Sequence, residues 1–174
     1  MTRHARVVLL AASLAPWMRA PAQRVPAAAA VPGSELSVYL MTMGQGDQVW
    51  ERFGHNAIGI RDRRANTDFV YNWGIFSFSQ PGFVGRFLYG EMMYWMAPGD
   101  AAASIVDYVT LNRTVEIQEL NLSPAQRLVL LEFIQWNARE ENRFYRYDYC
   151  LDNCSTRVRA ALDRVLGGAL RQAS

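Results

Sequence analysis

The chain has 174 residues, 51% apolar and 12% aromatic, enough for one domain with a proper core. All 18 basic residues are arginine, and residues 1–30 carry four of them (Arg3, Arg6, Arg19, Arg24) with no acid. The remainder holds 14 basic against 16 acidic residues. That near-neutral balance argues against nucleic-acid binding and against a polybasic attraction to anionic lipid.

The first thirty residues read as an export leader. Met1 to Arg6 is a short basic segment, and Val7 to Met18 is an apolar run too short to span a bilayer. Ala20-Pro21-Ala22 and Ala27 to Ala30 offer small residues for cleavage. No cysteine follows the apolar run, which argues against a lipoprotein signal, and Pro16 argues against an uncleaved anchor. The expected mature protein is exported and periplasmic. Export permits a disulfide between the only two cysteines, Cys150 and Cys154.

Beyond an Ala/Pro-rich lead-in, Ser37 to Met43 reads as a strand, Gly44 to Asp47 as a turn and Gln48 to Phe53 as a short helical turn. His55 to Ile60 reads as a strand with His55, Ala57 and Gly59 on one face; the small residues leave room beside the imidazole. Asp62 to Asn66 connects it to a hairpin partner over Asp68 to Trp73. A short helix is expected over Pro81 to Tyr89, with Phe83, Val84, Phe87 and Leu88 on its apolar side. Met92 to Met96 follows as an extended or buried piece, then a helix over Ala101 to Leu111 and a strand over Thr114 to Leu120.

Ser123-Pro124-Ala125-Gln126 is a helix start with a cap, a first-position proline and a capping-box glutamine. That helix runs to about Asn137 and buries Leu128, Leu131 and Ile134 or Phe133. Arg139 to Tyr147 reads as a charged, aromatic loop. From Cys154, residues Val158, Ala161, Leu162, Val165, Leu166 and Ala169 recur at steps of three and four, the period of a helix that stops at Gly167-Gly168. With no repeat and no second domain, the expected class is α+β: one domain over residues 35–170, an antiparallel sheet bearing His55 packed against a C-terminal helix bearing Cys154.

Asp152 and Asn153 suit a cap, so Cys154 falls in the first turn of its helix, where free amides and the helix dipole favour a thiolate. Such a nucleophile needs a base. His4 lies in the leader, so His55 is the one imidazole left to the mature chain. An orienting group is expected on the strand beside it. Asn72 is the candidate; Asp68 only begins that strand and Asp62 lies in the turn. This chemistry calls for no metal and no cofactor. The plainer alternative is a core histidine and an inert buried cysteine.

Four stretches carry a family resemblance: Phe53-Gly54-His55-Asn56-Ala57, Tyr71 to Phe76, Leu120 to Ser123, and Tyr147 to Arg157. Between Glu35 and Leu166 the chain resembles the Lnb N-terminal periplasmic domains. The resemblance implies a permuted papain-like fold related to the NlpC-type and lecithin–retinol acyltransferase-type thiol enzymes, with histidine before cysteine. It implies a bacterial lipoprotein N-acyltransferase, with Cys154 as the acyl-accepting nucleophile and His55 as the base. A phospholipid is the implied acyl donor and a lipoprotein amine the acceptor, met at a membrane surface or beside a membrane-embedded partner. Such enzymes carry membrane-spanning segments after this domain, and this sequence has none.

Cys150 stands where the family is more often aromatic, and is expected to be a small apolar filler or a disulfide partner. Phe83 to Met96 is expected either to line an acyl groove or to be plain core. Arg157 and Arg159 are expected either to hold a phosphate or to pair with acids on the helix surface. The competing functions are a cysteine peptidase or amidase acting on cell-wall peptides, and a non-catalytic binding domain.

Overall fold

Leu36–Met43 (β1) alternates between two cores, as the period of a strand dictates. Leu36 and Val38 enter one apolar cluster; Tyr39, Met41 and Met43 enter another on the opposite face. The computed structural model describes residues 30–173, so the expected leader, apart from Ala30, lies outside the described residues.

The other strands are β2 (His55–Asp62), β3 (Thr67–Ile75), β4 (Met93–Asp100), β5 (Val115–Glu119) and β6 (Phe144–Arg146). They form one six-stranded sheet in the order β5-β1-β2-β3-β4-β6, with every neighbouring pair antiparallel. The helices are α1 (Phe83–Leu88), α2 (Ala101–Thr110), α3 (Pro124–Asn137), α4 (Cys154–Val165) and α5 (Ala169–Gln172). α3 and α4 cover one face of the sheet: Leu130, Ile134, Val158 and Ala161 pack there with Val38, Ile58, Tyr71 and Trp73. α2 covers the other, where Ala101, Ile105 and Tyr108 meet Met41, Ala57 and Val70. The molecule is thus a single α+β domain of helices on an antiparallel sheet, as its order of elements implies.

The caps act as read. Ser123 and Gln126 make the reciprocal capping box of α3, with Pro124 in its first turn. Gly167 and Gly168 end α4 with φ of 64° and 85°, and the Gly168 amide donates to the Asp163 carbonyl at 3.0 Å.

Four expectations need correction. The residues of α3 that face the sheet are Leu130, Ile134 and Asn137, while Leu128, Leu131 and Phe133 are only partly buried. A polar Asn137 in the stripe hides it from a hydrophobicity count; the Trp73 indole donates to its Oδ1 at 2.6 Å, and its own amide donates to the Asn142 carbonyl at 2.9 Å. Second, the loop before Tyr147 contains β6, three residues paired with Met93–Trp95, too short to declare a period. Third, β4 runs on through Pro98 and Gly99, residues that read as strand breakers. Fourth, the space at Gly59 is not free. The Tyr39 ring lies over it, so that an added Cβ would sit 2.0 Å from the ring.

Replacing Asn137 with alanine strands a buried indole N–H. It should lower unfolding stability by about 1–3 kcal/mol, read as a lower urea midpoint at unchanged slope.

Candidate functional site

The loop before α4 is built by its own polar side chains. Asp148 Oδ1 accepts from the Cys150 and Leu151 amides, each at 2.8 Å, and these bonds hold its carboxyl below the usual range. Asn153 caps α4: its Oδ1 accepts from the Thr156 amide at 3.0 Å, and Thr156 Oγ1 accepts from the Asn153 amide at 2.8 Å. Asp152 instead pairs with Arg157, whose guanidinium lies 4.3 Å over the Tyr145 ring. Of the two expectations for Arg157, the acid pairing is the one found; Arg159 is exposed. Cys154 is therefore the first residue of α4, at the positive end of a twelve-residue helix.

His55 is the first residue of β2, after a left-handed Gly54 (φ 69°). Asn72 pairs with Ala57, two residues further on, which makes it the diagonal neighbour of His55 on the same face. Asn72 Oδ1 lies 3.1 Å from His55 Nε2, and Asn72 Nδ2 donates to the Val70 carbonyl at 3.4 Å. That second bond turns the amide oxygen toward the ring, so Nε2 carries the hydrogen and Nδ1 is left for the thiol. Asp68 is engaged by Tyr39 and Arg61, and Asp62 by the turn amides of Arg64 and Ala65. Asn72 is thus the one of the three that meets the imidazole.

The Cys154 and His55 side chains come together over Gly74, where an added Cβ would stand 3.8 Å from His55 Nδ1. Gly74 lies where they meet, at the bulge between Trp73 and Ile75 and with φ of 122°. A Cβ there would stand 3.4 Å from His55 Cε1 and 3.8 Å from Cys154 Cβ. Burial pushes the Cys154 thiol up, but the His55 bond and charge, the Asn56 backbone amide and the Ser155 hydroxyl outweigh it and bring it down to about 7.

These residues open into a cleft of about 410 Å³ with two different walls. Trp50, Phe76, Tyr94, Tyr147 and Tyr149 form an aromatic wall; Glu51, Ser104, Asp107 and Arg113, with Tyr108 and Leu111 among them, make up a more polar part of the lining. The aromatic wall is continuous: Tyr94 stacks on Tyr147 at 4.2 Å, Tyr147 meets Tyr149 at 5.2 Å, and Tyr94 meets Phe76 at 5.0 Å. Burial first, and then the charge on Cys154, pushes the Tyr147 hydroxyl well above its usual range. Beside the lining residue Tyr149 stands Phe53, 81% exposed, at 6.1 Å. On the polar wall Arg113 is buried, bonded to Glu51 at 3.1 Å and to the Gly44 carbonyl at 2.9 Å.

Among the described residues, the segment Phe83 to Met96 contributes only Tyr94 to the cleft. Met92 and Met96 are buried in the core, so the core reading of this stretch holds for them; the side chains of Phe87 and Leu88 lie outside the described residues. The aromatic wall comes instead from segments the sequence reading did not connect. Cys150 is exposed rather than an apolar filler, and both cysteines are free thiols. Asn56 and Ser155 were also overlooked, although each directly follows a site residue in the chain.

Fold and site together define an α+β domain whose cleft brings together a thiol, an imidazole and the carboxamide bonded to that imidazole. A family model described as the Lnb N-terminal periplasmic domain matches residues 23–174, and the chain belongs to that family. The description places the domain in the periplasm of a bacterial envelope. No curated protein and no solved structure matches the chain. Among the described residues, no helix is long and apolar enough to cross a membrane.

Thiolate should accumulate as pH rises through about 7, visible as ultraviolet absorbance that Cys154→Ser removes. In His55→Ala, burial acts without the imidazole, so the midpoint should move up.

Proposed function

We propose that this domain is a thiol acyltransferase that N-acylates lipoproteins from a phospholipid donor through an acyl-Cys154 intermediate. The observation that carries the reading is the Cys154–His55–Asn72 row on the floor of a cleft with an aromatic wall. A histidine strand preceding a cysteine helix fits a permuted papain-like, NlpC-type arrangement, and a leader over residues 1–30, cleaved on export, fits the family's periplasmic description.

In the first step the Cys154 thiolate attacks the donor's ester carbonyl. A C–S bond forms and the carbonyl electrons move to oxygen. The Cys154 amide, with no intrahelical acceptor at the helix start, is placed to meet that charge. Collapse breaks the ester C–O bond, and the departing lysolipid oxygen takes a proton from the His55 imidazolium. In the second step the lipoprotein amine attacks the thioester and His55 takes its proton. The sulfur leaves as thiolate. Asn72 keeps Nδ1 aimed at the sulfur throughout by holding Nε2–H.

The aromatic wall suits an acyl chain. The exposed Phe53, Tyr149 and Trp50 at the cleft suit contact with a membrane surface, where aromatic residues are favoured. One observation favours a second reading: Glu51, Asp107 and Arg113 give part of the lining the polarity a cell-wall peptide would need, which suits an amidase or peptidase with the same nucleophile. A non-catalytic binding domain has no use for the thiol–imidazole contact.

Incubation with phospholipid vesicles should give a hydroxylamine-labile acyl adduct on Cys154, seen by mass spectrometry and absent in Cys154→Ser. His55→Ala should slow its formation by roughly 10²–10⁴-fold. Muropeptide cleavage without an adduct would make the amidase reading correct, and neither product would leave the binding domain.

A further inference from the structure

We propose that the aromatic wall of the cleft continues outside it as a subsite for the far end of a long acyl chain, with Phe78 setting the preference for length. The proposal rests on the acyltransferase reading and concerns its donor.

Five rings form one chain of contacts. Tyr147 stacks on Tyr94 at 4.2 Å, and Tyr94 meets Phe76 at 5.0 Å. Phe76 then meets Phe78 at 5.0 Å, and Phe78 meets Phe83 at 5.2 Å. The first three line the cleft; Phe78 and Phe83 do not. Trp50, another lining residue, meets Phe78 edge-on at 5.0 Å. The chain of rings passes close to the reacting groups, because Phe76 lies two residues beyond Gly74, over which Cys154 and His55 meet. It leaves the cleft at Phe78, which is 55% exposed, and reaches Phe83 at the start of α1, beside the exposed Val84. The loop that carries Phe78 is held in place. Both ends of the Gln80 carboxamide bond the Met93 backbone, at 2.7 and 3.2 Å.

A lone exposed phenyl is ordinary on a protein surface. Phe78 is different because it extends a run of rings out of the cleft, so its apolar surface is contiguous with the lining. The tether identifies the occupant. In the acyl-Cys154 state the chain is bonded to sulfur at one end, and its apolar far end lies within reach of the wall. A tethered group meets a nearby surface at high effective concentration. A shallow, half-exposed surface therefore suffices, and a fixed loop adds no ordering cost. Short acyl groups end inside the cleft and gain nothing from Phe78. Long ones run out over it and cover a ring that otherwise faces water. Phe78 and Phe83 carry no polar atom, so this subsite reads chain length and not the donor's head group.

The test uses the full chain in a Cys150→Ser background, so that only Cys154 reacts. Alkyl methanethiosulfonates from ethyl to decyl form a mixed disulfide with that thiol and release methanesulfinate, with no acyl transfer involved. The rate constant should rise with chain length, and Phe78→Ala should lower the decyl-to-ethyl ratio by roughly three- to tenfold. Phe78→Leu stays apolar and should keep most of the ratio. Ile117→Ala, exposed on β5 at the other end of the sheet, should leave it unchanged. The laurate-to-butyrate ratio of nitrophenolate burst rates from p-nitrophenyl esters should fall in Phe78→Ala by a similar factor. Equal ratios in the parent and Phe78→Ala would overturn the proposal. Equal ratios together with lost binding to phosphatidylcholine vesicles would assign Phe78 to a membrane surface instead. A length preference in disulfide formation with no burst from any ester keeps the subsite and counts against acyl transfer. A burst without a length preference does the reverse.

Discussion

The seating of α4 on the sheet is what the site depends on. Val158 and Ala161 are buried against β2 and β3, and burying a valine-sized side chain is worth about 1.5–3 kcal/mol. A single neutral hydrogen bond contributes about 0.5–1.5 kcal/mol. Packing therefore decides where the helix lies, and the bonds at its start tune the sulfur rather than hold it in place. Asp163, buried on the same helix, accepts from the Leu170 and Arg171 amides at 2.9 and 3.2 Å, which folds α5 back onto α4. Once the helix is seated, the Asn153 cap fixes which residue comes first, and that residue is Cys154.

Much of this was legible because it rests on local chemistry. The Ser123 capping box, the Asn153 cap, the glycine stop after α4 and the alternation in β1 are short-range signals, and each appears where the residues place it. The nearness of Asn72 to His55 follows from a hairpin register, which a short turn constrains. What was not legible depends on distant partners. Asn137 looks like a surface residue until Trp73, 64 positions away, supplies its donor. Gly59 looks like room for a ligand until Tyr39 crosses from the neighbouring strand. The aromatic wall gathers Trp50, Phe76, Tyr94, Tyr147 and Tyr149 from four separated segments, and no periodicity links them. The bond from Asn56 to Ser155 was hidden for the same reason, since 99 positions separate the two.

The cleft's two walls differ in rigidity as well as polarity. Arg113 is tied by a charged bond to Glu51, a bond to the Gly44 carbonyl and a ring contact at 4.7 Å with Tyr108. It joins the turn before β2 to α2 and β5, so the polar wall is braced by a buried ion pair whose removal on one side would leave a charge uncompensated. Phe53, beside Tyr149, is by contrast mostly exposed.

The site's place at the end of β2 has a geometric reason. Consecutive residues of a strand project to opposite faces, so His55 and Asn56 point away from each other across the thickness of the sheet. In mid-strand no single atom could be reached from both. At the strand's first residue the sheet has an edge in that direction, and the first turn of α4 lies there. Cys154 then meets the imidazole from one face, while from the other the Asn56 carboxamide holds Ser155, the next residue of α4, at 2.8 Å. Gly54 makes the strand begin where it does: its left-handed φ turns the chain sharply, and a Cβ there would meet the Met43 carbonyl oxygen at 2.7 Å. A side chain at position 54 would push the start of β2 away from β1. His55 and Asn56 would move with it, disturbing the approach of His55 to Cys154 and the Asn56–Ser155 bond at once.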